Sequence, residues 1–369
     1  MTSTTEEPST ARTTTRTNRA FRLRRRPIGP PTAGDLELVE EQLPETGAGQ
    51  ALVRTCYLSV DPTTRIWMSD YRAYMPPVPL GQVMRGVGVG QVIESRRDDL
   101  PAGTLVTGWP GWQEYCLTDD ASLLPMQFPF LPLPDPLPAP LSAFAGPLGH
   151  TGLTAYVGVD IGRPRPRETV VVSAAAGAVG SIAGQLAKIN GARVVGVASG
   201  EAKCRHVLDS LGFDACIDRL GSDWRRQLDE ATPDGIDLDF ENVGGEIMDH
   251  VLMRLNVGAR IVLCGMISSY NSLGGDMPGQ QAISQLIMQR ASMQGFLVLD
   301  HLDRFGEAAA HLAGLLATGR LRYDETVVDG LERAPEALTR ILEGTNVGKT
   351  LVHLADPVPI DTQGSLTAA

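Results

Sequence analysis

Two hydrophobic rhythms divide the chain. From about residue 20 to residue 145, short apolar pieces rich in β-branched residues are interrupted at close intervals by Gly and Pro. Ala51-Leu-Val-Arg-Thr-Cys-Tyr-Leu-Ser-Val60, Gly86-Val-Gly-Val-Gly-Gln-Val-Ile93 and Thr104-Leu-Val-Thr107 predict strands of a mainly β unit. The rhythm then changes. Val170-Val-Val172, Arg193-Val-Val-Gly-Val197, Ile236-Asp-Leu-Asp-Phe240 and Ala259-Arg-Ile-Val-Leu-Cys264 are short apolar runs separated by helix-length segments. Continuous rather than alternating Val and Ile means strands covered on both faces, and the spacing predicts repeated βαβ units. Beyond residue 320, Thr326-Val-Val328 and Gly348-Lys-Thr-Leu-Val-His353 predict further strands that return to the first unit.

The expected organisation is a disordered tail over 1–19, a mainly β domain over 20–145 with 320–355 returning to it, an α/β domain over 146–319, and a flexible tail over 356–369. The proline-dense stretch Pro129 to Pro147 predicts a stiff connector between the two domains. No internal repeat is evident.

Composition narrows the class of partner. With 369 residues the chain is too long for one ordinary core. Hydrophobic residues at 43% and charged residues at 20% are ordinary for a soluble globular protein. A formal net charge of -11 argues against nucleic acid or anionic lipid as the main partner. No apolar run approaches the roughly 20 residues that span a bilayer. Cys56, Cys116, Cys204, Cys216 and Cys264 include no C-x-x-C pair, which reads as reduced thiols in a cytoplasmic protein. The Ser/Thr/Arg-rich start, ending near Arg24-Arg-Arg26, invites comparison with a transit peptide or a twin-arginine signal. Glu6 and Glu7 argue against the first, and no apolar segment follows the arginines to support the second.

Candidate chemistry begins at Ser173-Ala-Ala-Ala-Gly-Ala-Val-Gly180, which follows Thr169-Val-Val-Val172 and opens an amphipathic segment ending near Gly191. Strand, tight turn and helix form the construction that holds a dinucleotide pyrophosphate, although Ala175 stands where the G-x-G-x-x-G fingerprint has its first glycine. Gly177 would let the backbone approach the phosphates. Gly180 would let the helix pack on its strand, with its N-terminal N–H groups facing the anion. Ala175 is compatible with this if the turn needs no positive φ there. At the end of the next strand, where an NAD site carries an acid, stands Ser199, followed by Lys203, with Arg219 beyond Ala215-Cys-Ile-Asp218. Lysine and arginine suit a 2′-phosphate, so NADP(H) is the expected cofactor. Glu201 is a nearby carboxylate that would oppose it.

At these residues the chain resembles a known group. Gly149-His-Thr-Gly-Leu-Thr-Ala-Tyr156, the Thr169–Ser181 turn, Asp239-Phe-Glu-Asn-Val-Gly-Gly245, Cys264-Gly-Met-Ile-Ser-Ser-Tyr-Asn271 and Gly344-Thr-Asn-Val-Gly-Lys349 are similar to segments of the zinc-free medium-chain dehydrogenase/reductases. The branch it resembles contains prostaglandin reductase (leukotriene B4 12-hydroxydehydrogenase), curcumin reductase and the NADPH-dependent alkenal/one double-bond reductases. The likeness covers roughly residues 20–355. It implies an α/β chain with a Rossmann domain and a GroES-like β domain, and reduction of a carbon–carbon double bond conjugated to a carbonyl. A homodimer acting on small enones or enals is expected, with no nucleic acid, membrane or metal.

The resemblance assigns Gly177, Ala178, Val179 and Gly180 to the pyrophosphate and Lys203 to the 2′-phosphate. Arg219 replaces a tyrosine of the family there. Asn242, Tyr270, Phe296, Leu297, Val298 and Asn346 match positions beside the nicotinamide. Tyr270 is the catalytic candidate: a phenol, with reference pKa about 10, stays protonated at neutral pH and can donate to a developing enolate. Packing against the nicotinamide is its alternative role. The chain departs from the family at Val60-Asp-Pro-Thr-Thr-Arg65, where many members have Tyr-Met for Thr63 and Thr64, which opens the question of substrate choice.

Gly81-Gln-Val83 stands where zinc-dependent relatives carry Gly-His-Glu, and Gln82 cannot replace an imidazole as a zinc ligand. No G-x-S-x-G elbow supports hydrolase chemistry. His150 opens a helix, and a hydrogen-bonding role at the helix start is the expectation for it. The competing readings are a zinc-independent NADPH quinone oxidoreductase and a cofactor-binding protein without catalysis. Lys203, Asn242 and Tyr270 speak against the latter.

Overall fold

Val170, Val171 and Val172 are all buried, and consecutive strand residues point to opposite faces, so both faces must be covered. The computed structural model, which describes residues 17–43, 45–119, 129–273 and 279–359, shows how. Strands β1 (Thr17–Leu23) and β2 (Leu36–Gln42) form an antiparallel pair. Then come β3 (Ala51–Ser59), β4 (Gly88–Ser95), β5 (Leu105–Gly108), β6 (Tyr115–Leu117) and β7 (Leu131–Pro132). Next are β8 (Thr169–Ser173), β9 (Arg193–Ala198), β10 (Ala215–Asp218), β11 (Ile236–Glu241), β12 (Leu255–Leu263) and β13 (Ser292–Gly295). Last are β14 (Glu325–Asp329) and β15 (Lys349–His353).

The run β8 to β13 builds a six-stranded parallel sheet in the order β10-β9-β8-β11-β12-β13. Ala155 of the helix His150–Gly162, Ile182 of Ala178–Ile189 and Leu312 of Phe305–Ala317 pack with Val170 and Val172 on one face. Trp224 and Leu228 of Trp224–Ala231 and Ile247 and Val251 of Gly245–Leu252 pack with Val171 on the other. This is the doubly wound α/β arrangement. The second sheet, β14-β15-β3-β4-β5-β7 with β6 on β3, is antiparallel except between β14 and β15. The two sheets are joined by a backbone bridge, where the Gly348 N–H donates to the Ala176 carbonyl at 2.8 Å, and by Val89 and Leu351, which pack with Val170 and Val172. Gly348 has φ +63, and a Cβ there would lie 2.0 Å from the Asp324 carbonyl oxygen, so only glycine fits.

Two expectations are corrected. Thr17, Asn18 and Arg19 belong to β1 rather than to a tail, because Asn18 is buried with its amide donating to Gln113 Oε1 at 3.0 Å. The earlier part of that tail, 1–16, and the end of the last, 360–369, lie outside the described residues. The stretch from Pro129 to Pro147 is not a free-standing connector. It contributes β7 and the 3-10 turn Leu141–Ala145, and Ala143, Phe144 and Ala145 are buried in the Rossmann-side core. Among the described residues, no helix is long and apolar enough to cross a membrane.

One core position is chemically unusual. Asp239 lies at the centre of β11, level with Val171 and Ile261, fully buried and with no partner for either carboxylate oxygen. Burial, reinforced by Glu241 on the same face, raises its pKa well above the carboxylate range. The folded protein therefore holds this proton at a pH where the unfolded chain has released it. Stability is greatest at low pH on this account and falls as pH rises above about 4. Thermal melts between pH 5 and 8 should show the Tm dropping as pH rises, and Asp239→Asn should flatten that slope. An unchanged slope in the variant would contradict the assignment.

Candidate active site

The carboxyl ends of β8 to β12 and the second sheet enclose a cavity of about 460 Å³. All twelve residues expected at the site lie on its wall. Their order along the sheet edge follows the strand order β10-β9-β8-β11-β12. With about 4.8 Å between neighbouring strands, the row runs for roughly 20 Å.

At the middle, the turn after β8 is built as the sequence suggests, with one difference. The left-handed residue is Ala174, at φ +50, and not Ala175. Ala175 is fully buried, within contact of where a Cβ on Gly196 would stand. Gly177 caps the helix Ala178–Ile189, and the first helical N–H groups, of Ala178, Val179 and Gly180, have no acceptor within the helix. A Cβ on Gly180 would come 2.4 Å from the Ala174 carbonyl oxygen, which is why the helix can start so close to its strand.

At the β9–β10 end, Lys203 and Arg219 converge. Lys203 Nζ donates to the Gly344 carbonyl at 2.7 Å, and Arg219 Nε donates to Ser199 Oγ at 2.7 Å. Burial first, and the Arg219 charge second, lower the Lys203 pKa. Two cations held together around Ser199 make a site for a doubly charged anion. The Glu201 side chain, 84% exposed, turns to Arg205 at 3.8 Å, so the opposition expected from it is absent. Asn346 lies in the adjoining loop, its Nδ2 donating to the Gly348 carbonyl at 3.1 Å.

At the β11–β12 end, Asn242 donates its backbone N–H to Ser173 Oγ at 2.7 Å and its Nδ2 to the Ser173 carbonyl at 2.8 Å. Buried Glu241 accepts the Ser173 hydroxyl and the N–H groups of Val243 and Gly244, fixing this turn. Tyr270 sits in the 3-10 turn Ile267–Ser272. Its oxygen accepts the Met266 N–H at 3.2 Å, which leaves its own proton to donate. Burial pushes the phenol up to about 12, so it is neutral throughout the physiological range. Phe296, Leu297 and Val298, following β13, complete the apolar wall here.

Several wall residues were not singled out from the sequence. Asp61 accepts from Lys349 Nζ at 2.7 Å and from the Ser59 hydroxyl, and Lys349 also donates to the Val60 carbonyl at 3.0 Å. Burial opposes charge on Asp61, yet Lys349 and His150 hold it far below the usual carboxylate range. His150 is the first residue of its helix, after the N-cap Gly149, and its polar partner there is Asp61. The helix begins without a side-chain cap bond, and His150 Nε2 faces Asp61 Oδ1 at 3.3 Å. Asp61 and Lys349 stood inside the quoted Val60–Arg65 and Gly344–Lys349 segments, but spacing gave no hint of their contact. Tyr74 lines the cavity too, its hydroxyl bonded to Thr63 Oγ1. An aromatic side chain thus lies beside Thr63, supplied from another segment.

A dinucleotide with a 2′-phosphate fits this wall: the glycines leave room that a Cβ would fill, and two cations wait one and two strands away. Among the described residues, no group of three or more His, Cys, Asp or Glu side chains is placed to hold a metal. The fold and site together define a dinucleotide-dependent oxidoreductase with a Rossmann domain and a mainly β partner domain. Residues 19–126 match the family described as the N-terminal domain of oxidoreductase, and residues 178–314 match that described as zinc-binding dehydrogenase. The chain is 41% identical to the NADPH-dependent curcumin reductase of Escherichia coli strain K12, covering 92% of this chain and 97% of that one. It is 36% identical to the NADP(+)-dependent 2-alkenal reductase of Nicotiana tabacum, covering 89% and 94%. The crystal structure of CurA in complex with NADPH from Vibrio vulnificus superposes with a TM-score of 0.85 at 42% identity, covering 92% and 100%. The chain belongs to the medium-chain dehydrogenase/reductase family, among the NADP-dependent oxidoreductases related to curcumin, prostaglandin and alkenal reductases.

Proposed function

We propose that the protein reduces the carbon–carbon double bond of α,β-unsaturated ketones and aldehydes with NADPH. The observation that carries this reading is Tyr270: a neutral hydroxyl with its proton to give, four strands along the sheet edge from the two-cation site. That span matches a dinucleotide laid from 2′-phosphate to nicotinamide. When bound, NADPH supplies the hydride that adds to the β-carbon. The chain's residues do the rest. The N–H groups of Ala178, Val179 and Gly180 receive the pyrophosphate, and Lys203 and Arg219 receive the 2′-phosphate. Asn242 and the Phe296–Val298 wall hold the nicotinamide half, and Asn346 closes on the cofactor from the loop that carries Gly344. Tyr270 donates to the carbonyl oxygen as it gains enolate charge, an interaction stronger in the transition state than in the ground state. Thr63 and Tyr74 flank the space left for the substrate.

NADPH preference is tested at Lys203. A hydrogen bond to a charged group contributes about 1.5–3 kcal/mol, so Lys203→Ala should weaken NADPH roughly tenfold or more and leave NADH nearly unchanged. Equal use of the two by the parent protein would rule the assignment out.

The reaction is tested by NADPH oxidation over a panel of enals, enones and quinones. Enals and enones should be turned over in preference. Turnover of quinones alone would replace this reading with quinone reduction. In the same assay Tyr270→Phe should lower kcat on the order of tenfold to a hundredfold, below the cost of an oxyanion-hole donor because an enolate spreads its charge. NADPH affinity should be unchanged. If the ring only packs on the nicotinamide, Phe will be silent and Ala will weaken NADPH.

We also infer a homodimer. Strand β13 is one of the two edges of the parallel sheet, largely exposed, and Ile287 and Met288 stand exposed in the segment just before it, a hydrogen-bonding edge suited to pairing with a second copy. Sedimentation should give twice the chain mass, and a monomer at micromolar concentration would contradict this.

A further inference from the structure

Two cysteines adjoin the two-cation site, and both are free thiols. Cys204 follows Lys203 in the helix Glu201–Asp209, and Cys216 precedes Arg219 in the chain, on β10. Strand register sets where their side chains point. Cys216 pairs with Gly196 of β9, and residues paired across neighbouring strands face the same side of a sheet. On that side a Cβ at Gly196 would lie 3.1 Å from Val207 and 3.2 Å from Phe213. Cys204 shares the buried face of its helix with Val207, one turn away. Helix and strand therefore turn one thiol toward the other, and the Cys216 thiol donates a hydrogen bond to the Cys204 sulfur.

Resting on the assignment of Lys203 and Arg219 to the 2′-phosphate, we propose that a hydroperoxide joins Cys204 and Cys216 in a reversible disulfide, and that closing it weakens NADPH binding. The Cys204 sulfur, as thiolate, attacks one oxygen of the hydroperoxide. The O–O bond breaks, the leaving oxygen takes the proton that Cys204 released, and a sulfenic acid remains. The Cys216 sulfur then attacks the sulfenic sulfur, and its proton leaves with the displaced hydroxide as water. Two thiols are oxidised to one disulfide, and one peroxide bond is reduced. The hydrogen bond from Cys216 favours the thiolate on Cys204. Cys216 is only half-buried and lies on an edge strand of the sheet, which gives a small oxidant a path to the pair.

The consequence for the cofactor follows from the chain around the pair. A disulfide holds its sulfurs about 2.05 Å apart, closer than a hydrogen-bonded pair, so closing it draws the first turn of the helix toward β10. That turn carries Lys203, whose Nζ reaches the Gly344 carbonyl at 2.7 Å. The start of the helix is also tied to the end of β10. The Gly200 N–H donates to Asp218 Oδ1 at 2.7 Å, and the Arg219 N–H donates to the Ala198 carbonyl at 2.9 Å. One movement thus reaches both cations and changes a spacing set for a phosphate. NADH has no such phosphate and loses nothing.

The test compares the full-length protein before and after hydrogen peroxide. Thiol titration of the denatured chain should fall by two from the five cysteines of the sequence. Peptide mapping should join Cys204 to Cys216, and a thiol reductant should restore both. In the oxidised form the Kd for NADPH should rise roughly tenfold, the loss of about one charged hydrogen bond, and the Kd for NADH should stay as it was. Cys216→Ala should bind NADPH as the reduced parent does, before and after peroxide, and Cys204→Ala serves if that variant does not fold. A disulfide that does not form, or that forms without changing NADPH affinity, overturns the proposal. So does a variant that loses NADPH affinity under peroxide as the parent does. If the reduced parent binds NADPH no better than NADH, the assignment of the two cations falls instead.

Discussion

A backbone hydrogen bond from the Gly348 N–H to the Ala176 carbonyl joins the second sheet to the glycine turn of the first, above a core in which Val89 and Leu351 of the second sheet pack with Val170 and Val172 of the first. Two flanking features make that bond possible. Gly348 takes a left-handed conformation beside Asp324 where any side chain would collide, and Ala174 absorbs the left-handed φ in the facing turn. The next residue, Lys349, buries its ammonium against Val60 and Asp61. One short segment therefore links the two sheets, lines the cofactor turn and places a charge in the cavity wall. A buried ion pair of this kind gains little stability over an apolar pair, but removing one member strands the other. That asymmetry makes Lys349 and Asp61 mutually dependent.

Electrostatics then divides the cavity along the sheet edge. Lys203 and Arg219 concentrate positive charge by β9 and β10, with Glu201 turned away to Arg205, against a chain whose net charge is -11. By β11 and β12 burial raises the Glu241 pKa and pushes Tyr270 and Cys264 up to about 12, so the phenol and the thiol stay neutral. A polyanion is attracted to one end, and a developing negative charge meets neutral donors at the other. Such an arrangement favours charge that appears during reaction over charge present beforehand.

The architecture was legible because it rests on local pattern. Unbroken runs such as Val170-Val-Val172 can only be strands covered on both faces, and their alternation with helices leaves few topologies. The segment Ser173–Gly180 showed a helix starting tightly on a strand, although the strained residue proved to be Ala174. The stretch from Pro129 to Pro147 misled because proline marks stiffness without showing what it packs on, and Phe144 packs into the core. Least legible was the group Asp61, His150 and Lys349. Its members are separated by nearly 200 residues at the widest interval and meet only where the sheets are joined, so no spacing announces them. Tyr74 beside Thr63 is the same kind of contact, made in space between separate segments.

The most direct test of the central claim follows the hydride itself. NADPH deuterated at the transferable position of its nicotinamide, given with an enone to the full-length protein, should place its deuterium on the β-carbon of a saturated ketone, with the carbonyl intact. Deuterium on the carbonyl carbon of an allylic alcohol, or oxidation of NADPH with no label in the product, would contradict the account.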